Sequence, residues 1–326
     1  MAKSKAIARP EVRHRRRPAD AEHVTRLLVV GGVIAVLAIV VGIIAFGWYQ
    51  TKIKPLGKTV LEVGSMKYNL GQLERRMELM KNQGSYYTQS SQFAAQLPDD
   101  AMAQLEREAK MLQGASELHV SISDEEFAAE IKDRGGVSED AKADVYAASF
   151  KEQVKESGLK ESEFRLMVKA DLLERKLSDY FKFVAAPSEA EIKANYMIAD
   201  SEENVLAALA RVQGGEDFVT VAKDVMGENA DGVLDWTPRG ASFLPDDVES
   251  FLFDTAELNQ ISDPISANGV FYVVQLVEKD PDRALDDTGR QQVAQRDQIA
   301  WVDGLNIAAV KHLSDEDKQR ALDDVF

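Results

Sequence analysis

Cysteine is absent from the 326 residues, which excludes a disulfide framework, cysteine-ligated zinc and the thiol of a lipobox. Histidine is scarce: His14, His23, His119 and His312 lie far apart in the chain, so no His-rich metal site is expected. No Gly-rich phosphate loop, no G-x-S-x-G and no H-E-x-x-H occurs. Paired acids such as Asp246-Asp247 and Asp286-Asp287 read as solvated surface, because acid–base work needs a shielded group with a shifted pKa. There is no internal repeat and no long low-complexity tract. No cofactor and no metal are expected.

Basic residues are outnumbered, 39 Lys and Arg against 55 Asp and Glu, for a net charge of −16. That figure joins two unlike parts. Residues 1–26 hold eight Lys/Arg against Glu11, Asp20 and Glu22, or +5, and the remainder holds 31 basic against 52 acidic residues, or −21. Between them runs LLVVGGVIAVLAIVVGIIAFGW at 27–48, with 22 residues and no charge, enough to span a hydrocarbon core of about 30 Å. The apolar core is longer than that of a cleaved signal peptide and ends in Trp48-Tyr49 rather than a small-residue cleavage site, so an uncleaved anchor is the reading. The Arg-rich flank predicts a cytoplasmic N-terminus, an extracytoplasmic body and a single pass of the cell membrane. Trp48 and Tyr49 then sit at the outer interface. The basic run reads as an orientation signal in contact with anionic lipid, not as a nucleic-acid site.

Past a polar linker at 49–59, VLEVGSMKYNL reads as a tight hairpin around Gly64-Ser65. A helix is expected from Leu70, a loop at 84–92, and helices at 99–118, from Ser123, at 140–157 and at 160–183. Ser123 and Glu126 have the spacing of a capping box, and the Met and aromatic residues at helical spacing read as core. Ala185-Ala186-Pro187-Ser188 marks a boundary. Beyond it come two short helices, at about 201–212 and 216–226, and then the strand GVFYVVQL at 269–276. From Asp286 the pattern reads helical to the end. The fold class expected is α+β: one transmembrane helix, a mostly α-helical module and a small α+β domain inserted before a C-terminal helix. The divisions are 1–26, 27–48, 49–59, 60–186, 187–280 and 281–326, the last expected to pack on the helical module.

The segments GEDFVTVAKDV (215–225), DGVLDWTPRG (231–240), FLPDDVESFLF (243–253), ISDPI (261–265) and NGVFYVVQL (268–276) follow one another. Their order and spacing resemble the PpiC/parvulin type of peptidyl-prolyl isomerase, with its GEDFAELAKEYS, GGDLGWFPRG, PPEVEDALFAL, GEISDPV and GYHIIKL segments. VLEVGSMKYNLGQLERRME, LHVSISDEEFAAEI and VKESGLKESEFRLMVKADLLERKL are similar to the opening, middle and end of the SurA/PrsA N-terminal chaperone domain. The order of anchor, helical module and parvulin-like module resembles the SurA/PrsA/PpiD-like membrane-anchored folding factors.

Departures from the parvulin pattern bear on activity. The family supplies one histidine in its first strand (HILV) and one in its last (GYHIIKL). All four histidines of this chain fall outside 187–280, and Tyr272 stands at the last-strand position. The first strand reads as truncated, with only Tyr196-Met197-Ile198 between a helix after Pro187 and the next helix near Ser201. Asp224 and Glu228 are weak matches for the Asp or Cys often found before GGDLG. What the resemblance retains is an apolar peptide pocket of Trp236, Phe243, Leu244, Val248 and Phe253, residues that equally suit the core of a small domain. Twisting a peptide bond meets a barrier of about 18–20 kcal/mol, and a pocket without polar groups suits binding better than fast isomerisation. The function expected is a chaperone or foldase holding unfolded or newly exported polypeptides, beside the bilayer and with the export channel as a candidate partner. The alternatives are an active isomerase using Tyr272 and a carboxylate, and a scaffold for one membrane partner.

Overall fold

The computed structural model describes residues 19–227 and 229–326; the basic run before Ala19 and Glu228 lie outside the described residues. Helix α1 (Ala19–Trp48) has 30 residues, about 45 Å at 1.5 Å per residue. It is long and apolar enough to cross a bilayer, a property that anchors and signal sequences share. The stretch read as a linker winds into a π turn at Tyr49–Ile53 and a 3-10 turn at Lys54–Gly57.

Strands β1 (Thr59–Val63) and β2 (Met66–Asn69) form the hairpin the sequence predicts. Gly64 has φ +54°, and a Cβ there would lie 2.5 Å from Gln113 Oε1, so only glycine fits. Five helices follow: α2 (Leu70–Gln83), α3 (Ser91–Gly114), α4 (Asp124–Arg134), α5 (Ala143–Ser157) and α6 (Glu161–Val184). The α4 capping box is formed, with Glu126 N–H donating to Ser123 Oγ and Ser123 N–H to Glu126 Oε2. Helix α3 begins eight residues before the expected start, carries Pro98 inside, and is capped by Ser90. Pro98 and its neighbours Leu97 and Ala101 are buried, and that packing offsets the backbone hydrogen bond proline removes.

The second lobe is a sheet in the order β4-β3-β6-β5, from β3 (Ser188–Ala199), β4 (Val233–Pro238), β5 (Ile265–Ala267) and β6 (Val270–Ala284). Helices α7 (Glu202–Gln213) and α8 (Phe218–Met226) cover one face, and α9 (Asp246–Ser250) with a following π turn covers the other. Here the sequence reading is corrected. No helix follows Pro187; β3 occupies 12 residues and is central, paired to β6 from Ser188↔Ala284 to Ala199↔Phe271 and to β4 on its other edge. Locally SEAEIKA favours a helix, having a Ser cap, Glu three residues on, and Ala, Glu and Lys as good helix formers. Cross-strand pairing overrides that preference, and irregularities at Glu189/Glu191 and Lys193/Ala194 break the alternation that would have signalled a strand.

The end of the chain also differs from the helical expectation. After α10 (Asp287–Gly304) comes β7 (Ala309–Lys311), paired antiparallel to β1, then α11 (Asp315–Val325). A three-residue strand carries no pattern of its own; β1 defines it. Met111 of α3, Leu173, Leu177 and Phe181 of α6, and Ala294 and Val302 of α10 share one core cluster, so the helical lobe is built from both sides of the sheet lobe.

Inside the helical lobe Arg76 and Glu108, both buried, pair bidentately at 2.8 and 2.9 Å. Burial pushes the Glu108 carboxyl up to about 7 while Arg76 draws it down. Arg76→Met leaves a buried carboxyl without its partner and is expected to cost about 3–5 kcal/mol in urea unfolding, with Glu108→Leu added recovering most of the loss. In that single variant burial, with the nearby Asp171 charge, holds the folded pKa of Glu108 above its unfolded value. Stability then falls as pH rises, and the deficit is larger at about pH 9 than at about pH 5.

Candidate functional site

The pairing of β3 with β6 sets the site. Ile198 faces Tyr272 and Tyr196 faces Val274 in the register, and all four belong to the apolar cluster under α9. Tyr196 and Tyr272 are therefore diagonal neighbours on one face. In β3, Tyr196-Met197-Ile198-Ala199 runs antiparallel to the strand that holds Tyr272. Burial, and the charge of Asp231, push the Tyr196 hydroxyl above the usual tyrosine range. At neutral pH it stays a neutral phenol, able to donate a hydrogen bond and unable to serve as a base.

Of the residues named from sequence, Leu244, Val248, Phe253 and Tyr272 come together in that cluster, all buried. Phe243 is 58% exposed and sits edge-on to Tyr196, with ring centroids 5.0 Å apart at 70°. Trp236 is not brought to them. It packs between the cations of Lys193, 5.4 Å from the ring centroid, and Arg283, at 4.6 Å. Nor does Asp224 reach Tyr272: it pairs with Arg211 at 2.7 Å, on the two helices that cover the other face of the sheet.

The loop from Arg239 to Pro245 is held by groups the sequence did not single out. Buried Glu249 accepts from Gly240 N–H at 2.9 Å and from Ser242 Oγ at 2.6 Å. Arg239 pairs with Asp254 at 2.5 Å and lies over the Phe253 ring. Arg296 of α10 donates to the Arg239 carbonyl at 2.9 Å, and a Cβ on Gly240, which has φ +73°, would meet its Cδ at 3.1 Å. Glu249 lay within a motif that was read only for its apolar positions. Arg296 had no local signal, since its partners are some sixty and a hundred residues away.

Chemically the face offers two phenols and apolar rings, with the Asp231 carboxylate near enough to Tyr196 to act on its hydroxyl. Among the described residues no three His, Asp or Glu side chains gather as a metal site. Fold and site define a class: a helical lobe carrying an α+β insertion with an aromatic face under α9. Residues 22–178 match the family model of the SurA-like N-terminal domain. That match spans 157 of the 326 residues and makes the part it covers similar to SurA-like N-terminal domains.

No curated protein matches the chain by sequence. Among solved structures, peptidylprolyl isomerase (PrsA) from Bacillus anthracis is similar at 14% identity, covering 68% of this chain and 94% of that one, with a TM-score of 0.39. Foldase protein PrsA from Streptococcus pneumoniae is 13% identical over 82% of this chain and 92% of its own, with a TM-score of 0.35. The parvulin domain of PpiD from E. coli is 20% identical over 29% of this chain and 93% of its own, with a TM-score of 0.24.

Burial separates the two phenylalanines. Phe253→Ala, at a position 8% exposed, is expected to cost about 3–5 kcal/mol in urea unfolding. Phe243→Ala loses one exposed ring contact and is expected to cost no more than about 1.5 kcal/mol. Equal losses would contradict this assignment of core and surface.

Proposed function

We propose that this chain is a membrane-anchored extracytoplasmic chaperone that holds unfolded, newly exported polypeptides, and that its parvulin-like lobe is degenerate for catalysis. The observation that carries this reading is the pair Tyr196 and Tyr272 on adjacent strands of one face, in a stretch, 187–280, that holds no histidine. A neutral phenol beside an apolar surface binds apolar or proline-containing segments. It supplies neither the base nor the charge that would favour a rotated, desolvated amide. Filling of the pocket supports the same conclusion, because Leu244, Val248 and Phe253 are spent on the core.

The organisation proposed is a helical chaperone domain at 60–186 completed by 281–326, with the parvulin-like domain at 187–280 inserted between. Anchoring by 27–48 follows from the charge-free length of the span, and the orientation from the basic flank before it. The acidic body keeps client complexes soluble and repels anionic lipid. The export channel is the membrane partner this placement favours.

Two assays on the full chain in detergent test the proposal. In a protease-coupled assay on a Xaa-Pro peptide the isomerisation rate is expected to stay below about a tenth of an active parvulin's, and Phe243→Ala changes it little. Aggregation of an unrelated unfolded protein is expected to be suppressed at near-stoichiometric ratios. A parvulin-like rate contradicts the degenerate lobe, and absence of suppression contradicts the holding function.

A further inference from the structure

On the α9 side of the sheet lobe, the rings of Tyr196 and Phe243 stand 5.0 Å apart, centroid to centroid, and 70° from parallel. Two rings near a right angle form a corner, and a cation resting in it meets the π-electron density of both. Phe243 is exposed, so its side of the corner is open to solvent. Tyr272, buried on the adjacent strand, is the diagonal neighbour of Tyr196 on this face. Neither tyrosine hydroxyl has a hydrogen-bond partner among the described residues. A phenol oxygen accepts as well as donates, so both can take an N–H from a ligand.

A negative charge stands beside the corner. The Tyr196 N–H donates to the Gly232 carbonyl at 2.9 Å, which sets the preceding residue, Asp231, next to Tyr196. Burial of Tyr196 and the charge of Asp231 together push the Tyr196 hydroxyl up. Asp231 is exposed, accepts from the Val233 N–H at 3.4 Å, and makes no ion pair with a described residue. Asp246 and Asp247, exposed in the first turn of the helix that covers this face, make none either.

The basic residues of β3, β6 and the loop after β4 are committed elsewhere. Lys193 pairs with Asp235 at 3.2 Å and Arg283 with Glu191 at 2.6 Å, and both flank Trp236. Arg239 pairs with Asp254 at 2.5 Å, and Lys279 donates to the Phe253 carbonyl. Elsewhere the chain sets its own cations on its rings, Arg165 at 4.4 Å from the Phe150 centroid and Arg283 at 4.6 Å from that of Trp236. No described cation lies over Tyr196 or Phe243.

We propose that the corner of Tyr196 and Phe243, with Asp231 beside it, binds a primary alkylammonium group, the end of a lysine side chain. The two rings supply cation–π attraction, Asp231 the opposite charge, and the unpartnered phenol oxygens the acceptors for the N–H donors. A quaternary ammonium has no N–H to give and leaves those acceptors unused. The acidic body raises the local concentration of cations around the site. This goes beyond the holding function proposed above and does not rest on it, because a ligand no longer than one side chain satisfies the site.

The test uses the full chain in non-ionic detergent at about 150 mM salt, where exposed charges more than about 8 Å apart are largely screened. Four fluorescein-labelled peptides differ at one position, which holds lysine, Nε-acetyl-lysine, norleucine or Nε-trimethyl-lysine. By fluorescence anisotropy the lysine peptide is expected to bind at least about fivefold more tightly than the acetylated and norleucine peptides. It is also expected to bind more tightly than the trimethylated one. Asp231→Asn removes the charge and Phe243→Leu the ring, each at an exposed position. Either is expected to cut the preference for lysine over norleucine to about twofold or less, with the circular dichroism spectrum unchanged. Equal binding of the lysine and norleucine peptides by the wild-type chain overturns the proposal, as does failure to bind any of the four. A preference that survives both substitutions places the attraction in the acidic body at large and overturns it too. Tighter binding of the trimethylated peptide overturns the assignment to a primary ammonium.

Discussion

The helical lobe depends on a return of the chain. Residues leave it at Pro187, build the sheet lobe, and come back at Leu285, whose N–H donates to the Pro187 carbonyl at 3.0 Å. Only then can Ala294 and Val302 of α10 fill the cluster with Leu173, Leu177 and Phe181, and only then can β7 extend the hairpin. Helix α11 follows, tied to α3 by Lys318 and Asp99 at 2.8 Å. Contacts separated by more than a hundred residues carry a loop-closure cost that local helix formation does not. The two crossing strands at Ser188 and Ala284 meet as a register pair, so the insertion enters and leaves at one point.

Charge holds the lobes in register. Arg296 grips Glu189 with two bonds at 2.8 and 3.0 Å, and through the Arg239 carbonyl it reaches the loop beside the aromatic face. Glu191 is 0% exposed and takes its partner, Arg283, from β6 at 2.6 Å. Gly289 of α10 lies so close that a Cβ would come within 2.9 Å of Glu191 Oε1. A charge-assisted bidentate pair such as Arg296 with Glu189 fixes direction more sharply than apolar contact does. The α10 helix therefore serves two ends: it completes the core and orients the sheet.

Local rules made much of this legible. The hairpin at Gly64, the Ser123 cap and the apolar stripe of α6 follow from turn geometry, side-chain capping and a 3.6-residue period, all properties of short segments. What was missed is non-local. Ser188–Ala199 carries helix-favouring residues and becomes a strand because β6 and β4 flank it. Ala309–Lys311 is a strand because β1 is beside it. At the site, the absence of histidine was plain from counting, and Tyr272 was placed by motif. Tyr196 became visible only with β3, and Arg296 only when α10 was seen against the loop after β4. Trp236 was assigned to the pocket by its motif, which records position along the chain and not the face of the sheet.

The central claim is that client holding belongs to the helical lobe and that the sheet lobe is an insertion without an essential catalytic part. The most direct measurement replaces 188–284 by a short Gly-Ser linker, which the contact between Pro187 and Leu285 permits, and compares aggregation suppression with that of the full chain. The account predicts a cooperatively folded protein that suppresses aggregation to within about threefold of the full chain, a difference of about 0.7 kcal/mol. A shortened chain that folds cooperatively yet no longer holds unfolded protein would contradict it.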